Sequence, residues 1–160
     1  FFQNDYEPML KIIHIENYNR SYWSSAWAGM IWYNRSQRVI NMNFTFIKDS
    51  GRNLKLDIQT YKFMKNANEY RFFPITLHLD LCEAFQTNYF DVMEFLRKYS
   101  NIPGCYLKKG SYSVHNGVFN MSRLPPHMPN GNYKVKVRLL SKDEFIADLY
   151  VISEIVEKKK

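Results

Sequence analysis

The sequence predicts a mainly β protein, an antiparallel β-sandwich with one helix near residues 87–99. Three observations lead there. Apolar and polar residues alternate with period two in several separate runs, the pattern of strands with one buried face. Turn signals break those runs at short spacing, at Asp49-Ser50-Gly51, Pro129-Asn130-Gly131-Asn132 and Ser141-Lys142-Asp143-Glu144. One segment alone changes to helical spacing. With 160 residues and no linker or internal repeat, the expectation is one domain over 1–160 that buries a core without help.

In chain order, LKIIHI (10–15) and AWAGMIWY (26–33) are apolar runs with weaker alternation. VINMNFTFI (39–47) alternates cleanly: Ile40, Met42, Phe44 and Phe46 face one way, Asn41, Asn43 and Thr45 the other. NLKLDIQTYKF (53–63) sets Leu54, Leu56 and Ile58 on one face, while Tyr61 and Phe63 fall out of phase; a bulge near Thr60 would explain that. In PITLHLDLC (74–82), Ile75, Leu77, Leu79 and Leu81 alternate with Thr76, His78, Asp80 and Cys82. The helical segment TNYFDVMEFLRKY (87–99) repeats Tyr89, Val92, Met93, Leu96 and Tyr99 along one face. Thr87 or Asn88 suits its N-cap, Asp91 its first turn, and Arg97 and Lys98 its C-terminal end, before Pro103 and Gly104 stop it. SYSVHNGVFNM (111–121), NYKVKVRLL (132–140) and FIADLYVISEIV (145–156) complete the strands.

Composition narrows the class. Aromatic residues make up 17% of the chain, so disorder is excluded, and no apolar window is long enough to span a membrane. The net charge of +7 favours anionic partners without choosing among nucleic acid, acidic glycans and lipid headgroups. Four sequons, at Asn19, Asn34, Asn43 and Asn120, and an even number of cysteines lean toward a secreted, extracellular protein; Asn43 and Asn34 are the favoured acceptors. A chain starting at Phe1 fits a removed signal peptide or a fragment.

Cys82 and Cys105 are too few for a structural zinc site and too far apart for a redox pair. A bridge between them would close a loop around the helix. The alternatives are two buried thiols and a catalytic thiol, and the scattered histidines (14, 78, 115 and 127) give the last no partner. The sequence favours the bridge.

The run from Tyr70 to Leu140 resembles the insect CheA/CheB chemosensory proteins, themselves similar to ganglioside-activator-like, ML-type lipid-recognition proteins. PITLHLDLC (74–82), YFDVMEFLRKYSN (89–101), IPGCYLKKGSYSV (102–114) and above all LPPHMPNGNYKVKV (124–137) carry the resemblance, and DYEPMLKI (5–12) looks like a mature N-terminus of that family. The resemblance implies a secreted, cup-like (immunoglobulin-like) sandwich whose sheets splay to admit an apolar ligand. It also implies a role in contact chemosensation.

Pocket candidates follow from residue type. Trp27, Trp32, Phe44, Phe46, Phe72, Phe85 and Phe90 are large apolar groups of the kind that line ligand sites, with Met93 and Leu96 as the inner face of a helical lid. Each has a plainer role in core packing, and Trp23 and Trp27 serve equally well as an exposed rim. Lys134, Lys136 and Arg138 alternate on one strand, where they meet anionic headgroups, a receptor, or only water. No G-x-S-x-G, H-E-x-x-H or phosphate-binding glycine loop is present, so no catalytic residue, metal or cofactor is expected. The expected partners are a hydrophobic small molecule or lipid and a chemosensory receptor or membrane surface. Nucleic acid is not expected, because no RNP-like or zinc-finger pattern accompanies the charge. The runner-up is a secreted module that modulates a receptor or channel through its surface, with a filled interior.

Overall fold

The computed structural model describes residues 6–87, 91–119 and 127–157. Its strands are β1 (Tyr6–Tyr18), β2 (Trp23–Trp32), β3 (Arg38–Phe46), β4 (Leu54–Met64), β5 (Glu69–Asp80), β6 (Gly110–Gly117), β7 (Gly131–Ser141) and β8 (Glu144–Glu157). Two short helices, α1 (Leu81–Thr87) and α2 (Val92–Tyr99), lie between β5 and β6. The strands form two antiparallel sheets, one ordered β1-β8-β7-β4-β5 and one ordered β2-β3-β6. The expected sandwich is therefore present.

The helical region differs from the single helix expected over 87–99. Leu81 and Cys82 open α1 rather than ending a strand, and Asp80 Oδ1 accepts the Glu83 N–H at 3.0 Å. That is an N-cap followed three residues later by Glu, the residue pattern of a capping box. α2 starts after Asp91, whose φ of 59° is left-handed, so no continuous helix crosses that point. Asp91, not Thr87 or Asn88, holds the N-cap position of α2, and Asn88 lies outside the described residues.

The irregularity expected near Thr60 is also real, but its extra residues are on the neighbour. The β4–β5 register shifts between Gln59 and Thr60, where Gln59 pairs Thr76 and Thr60 pairs Phe73. The β4–β7 register runs through without a break. The inserted pair is thus Pro74-Ile75, and β5 is an edge strand, where a residue without an N–H is tolerated. Tyr61 and Phe63 are consequently in phase with the outer face, against Phe72 and Tyr70 at 6.5 and 5.3 Å between centroids.

Two separate clusters are buried, and only the first joins the two sheets. At one end Tyr22, Trp23, Phe44, Phe46, Leu54, Leu107, Ile146 and Ala147 are buried together. Trp23 stacks on Phe44 at 4.8 Å and meets Phe46 edge-on at 5.7 Å, geometries that suit the ring quadrupoles. At the other end Tyr6, Tyr133 and Ile155 are buried, with Phe73 and Met128 against them. Cys82 and Cys105 form the expected disulfide, with Cα atoms 4.9 Å apart, which ties α1 to the segment before β6.

That segment is anchored at the turn between β3 and β4. Buried Ser50 exchanges backbone and side-chain hydrogen bonds with Leu107: its N–H donates to Leu107 O at 2.8 Å, and its Oγ accepts the Leu107 N–H at 3.0 Å. Asp49 Oδ1 accepts the Lys109 N–H at 2.8 Å, and Tyr106 OH donates to its other oxygen at 3.2 Å.

Candidate functional site

Alternation along β4, β5, β7, β8 and β1 turns one apolar row toward the smaller sheet. Ladder pairing aligns Leu77, Ile58, Val137, Leu149 and Ile15 side by side, with Val135, Val151 and Ile13 in the next row. In a filled sandwich the centre of the inner face is the driest place. Here all of these residues are only half-buried, although β7 and β4 lie in the middle of their sheet. Two clusters of fully buried residues lie toward the ends of the sheet, and between them Thr60, paired with Val135, is buried as well. The inner face of the large sheet is therefore an apolar surface that the small sheet covers incompletely.

The candidates read from sequence do not gather on this surface as one group. Phe44 and Phe46 are engaged in the aromatic core, and Phe85 is buried in α1. Trp27 (49% exposed), Trp32 (65%) and Phe72 (58%) project from three different places. Phe72 rests on Tyr61 on the outer side of the large sheet, and the Arg38 guanidinium lies 5.6 Å from the Trp32 ring centre. Met93 and Leu96 are half-buried on α2, whereas Phe90 lies outside the described residues. The side chain that seats α2 is Phe95, which packs near Tyr99 and Phe119 at 5.2 and 5.4 Å and lies over Gly117. The sequence reading passed over Phe95 and over the half-open β row, because aliphatic residues in alternation look the same whether or not a second sheet covers them.

The basic strand face is internally matched. Arg138 donates to both oxygens of Asp148 at 2.8 and 2.9 Å, which holds its guanidinium above its already high pKa. Lys134 and Lys136 lie over Tyr150 and Tyr61 at 4.3 and 5.6 Å from the ring centres. His78 Nδ1 is 2.7 Å from Asp57 Oδ1. Asp57, His78, Lys136, Arg138 and Asp148 line a groove of about 360 Å³ along the large sheet, together with Glu16, Gln59, Tyr61 and the strand positions Ile58, Val137 and Leu149. It is a zwitterionic groove rather than a cationic patch.

Among the described residues, no cluster of three or more His, Cys, Asp or Glu side chains has the arrangement of a metal site, and no helix is long and apolar enough to cross a membrane. At the Ser50 junction, the Lys109 N–H lowers the Asp49 pKa despite opposition from desolvation. Tyr106 is raised by burial and by its bond to Asp49. Tyr133 is raised by burial alone. All three shifts stem from packing contacts that hold loops and strands.

No curated protein sequence matches the chain. A family model described as "Protein of unknown function (DUF1091)" matches residues 59–135. The match runs from β4 through both helices and the disulfide into β7. Over that stretch the chain is similar to the DUF1091 family.

Proposed function

We propose that this protein is a secreted, non-enzymatic carrier for a hydrophobic ligand, a lipid or a long-chain hydrocarbon, held against the inner face of the large sheet. The observation that carries the reading is the half-buried row Leu77–Ile58–Val137–Leu149 between two dry end clusters. Apolar surface left partly wet at the centre of a sandwich loses about 25 cal/mol per Å² that a ligand chain would recover. The resemblance to CheA/CheB and ML-type lipid-recognition proteins, strongest over 70–140, supports the same ligand class and a role in chemosensation. It overlaps the stretch similar to DUF1091. The disulfide supports an oxidising compartment.

The groove along the large sheet favours a second reading, a surface module for a receptor or channel, because Arg138 with Asp148, His78 with Asp57, and Lys136 over Tyr61 are already set in fixed positions. Native mass spectrometry of protein secreted from insect cells, before and after organic extraction, separates the two. The carrier reading expects a stoichiometric apolar adduct that extraction removes. A protein that stays empty across long-chain fatty acids and hydrocarbons would favour the surface module.

A further inference from the structure

The outer face of the small sheet is polar and built of small residues around Trp27, with Ile31, paired with Val39, as a second large apolar side chain beyond Gly29. Ser25 and Thr45 lie at one level and Gly29 and Asn41 at another, and between them Trp27 is paired directly with Asn43. Ser113 follows Asn43 on β6. The Trp27 ring leans over Gly29: a Cβ there would lie 2.7 Å from Cζ2. Glycine at 29 is what lets the indole lie down along the strand. The ring is still half-exposed, and no other aromatic residue is paired with it across the sheet.

Asn43 opens the sequon Asn43-Phe44-Thr45. Its side chain is exposed and no hydrogen bond engages it among the described residues. The other sequons differ. Asn19 is built into a turn, its Nδ2 donating to Phe145 O at 2.9 Å while Oδ1 accepts from Ser21 N–H at 2.9 Å. Asn34 caps the β2–β3 hairpin through Oδ1 and has no ring opposite it. Asn120 lies outside the described residues.

We propose that Asn43 carries an N-linked glycan whose first N-acetylhexosamine packs its apolar C–H face on Trp27, so that the glycan covers this face of the sheet. This rests on the reading of the protein as secreted. The donor is a lipid-diphosphate-linked oligosaccharide. Sugar C1 bonds to Nδ2 of Asn43, the C1–O bond to the diphosphate breaks, the lipid diphosphate leaves with the electron pair, and Nδ2 loses one proton. Directly opposed residues in an antiparallel pair have Cβ atoms about 5 Å apart, which brings the first sugar within reach of the ring. The negative ring face attracts polarised C–H groups, and covering it also removes exposed indole surface from water.

The test uses the full chain expressed behind a secretion leader in insect cells, with Ser21→Ala, Ser36→Ala and Ser122→Ala leaving one sequon. Peptide mapping reads occupancy. Melting is then compared for glycosylated and Asn43→Gln protein, each with Trp27, Trp27→Phe and Trp27→Ala. The proposal expects an occupied Asn43 and a glycan-dependent rise of about 2–4 °C that Trp27→Ala abolishes and Trp27→Phe largely keeps. If Trp27→Ala does not fold, the Trp27 indole NMR signal must still shift between glycosylated and Asn43→Gln protein. A bare Asn43 on secreted protein, or an occupied one with neither coupling nor indole shift, overturns the proposal. Either of those results leaves the secretion reading itself standing, because thiol counting on the native protein tests that separately.

Discussion

Phe46 is 1% exposed and touches Trp23, Phe44 and Tyr112, so its ring sits where the two sheets are most tightly joined. Phe46→Ala removes the ring from a site that the stiff neighbouring rings fill poorly. It is expected to lower the unfolding free energy by about 3–5 kcal/mol, read from urea titration. Asp49 gives a prediction in pH. Its carboxylate pKa is lowered in the fold, chiefly by the Lys109 N–H, so the unfolded chain binds the proton more readily. The stability it contributes is present above the ordinary carboxylate range and is lost as pH falls through the lowered folded value. Asp49→Asn should therefore flatten the acid side of the melting-temperature profile and leave the neutral side parallel. The alternation in VINMNFTFI made Phe44 and Phe46 legible as inward-facing. The Asp49–Ser50 junction was legible only as a turn, because its partners Tyr106, Leu107 and Lys109 lie more than fifty residues away.

Among the elements, α2 has the most particular seat. It packs on β6 with Phe95 over Gly117, where an added Cβ would meet the ring at 2.5 Å. Gly117→Ala should displace the ring and cost about 1–3 kcal/mol, with amide exchange rising in α2 first. Phe95→Leu, with its shorter side chain, should restore protection in the double variant. Helical periodicity identified Val92 to Tyr99 correctly but carried the helix back through 87–91, where the left-handed Asp91 prevents it. A residue's φ sign leaves no periodic trace unless it is glycine. The reverse error, extending β5 into α1, had a readable signal in Asp80-Leu81-Cys82-Glu83. Leu81 kept the strand's parity and masked it, since a leucine entering the core satisfies either period. Pro74 likewise marked the register break that the sequence pattern located near Thr60, and it shows that the extra residues of that break are on β5.

For the whole molecule, the disulfide and the half-open sandwich are the two features that set behaviour. The bridge joins residues 23 apart, and in the chain-entropy model it stabilises the fold by about 3–4 kcal/mol. Reduction, or a Cys82→Ser/Cys105→Ser pair, should lower the denaturation midpoint to match while leaving the β-sheet circular dichroism unchanged. The sandwich class followed from period-two runs and turn chemistry alone. The partial cover of the inner face did not, because which aliphatic row a second sheet leaves partly exposed depends on how three strands sit over five. A ligand carried as proposed would lie along this row. The most direct measurement is photolabelling with a long-chain fatty acid carrying a diazirine near its tail, followed by mapping of the modified residues. Label on Ile58, Leu77, Val137 or Leu149, competed away by unlabelled fatty acid, is the predicted result. Label confined to exposed Trp32, Tyr33 or Phe72, or none that competes, would contradict it.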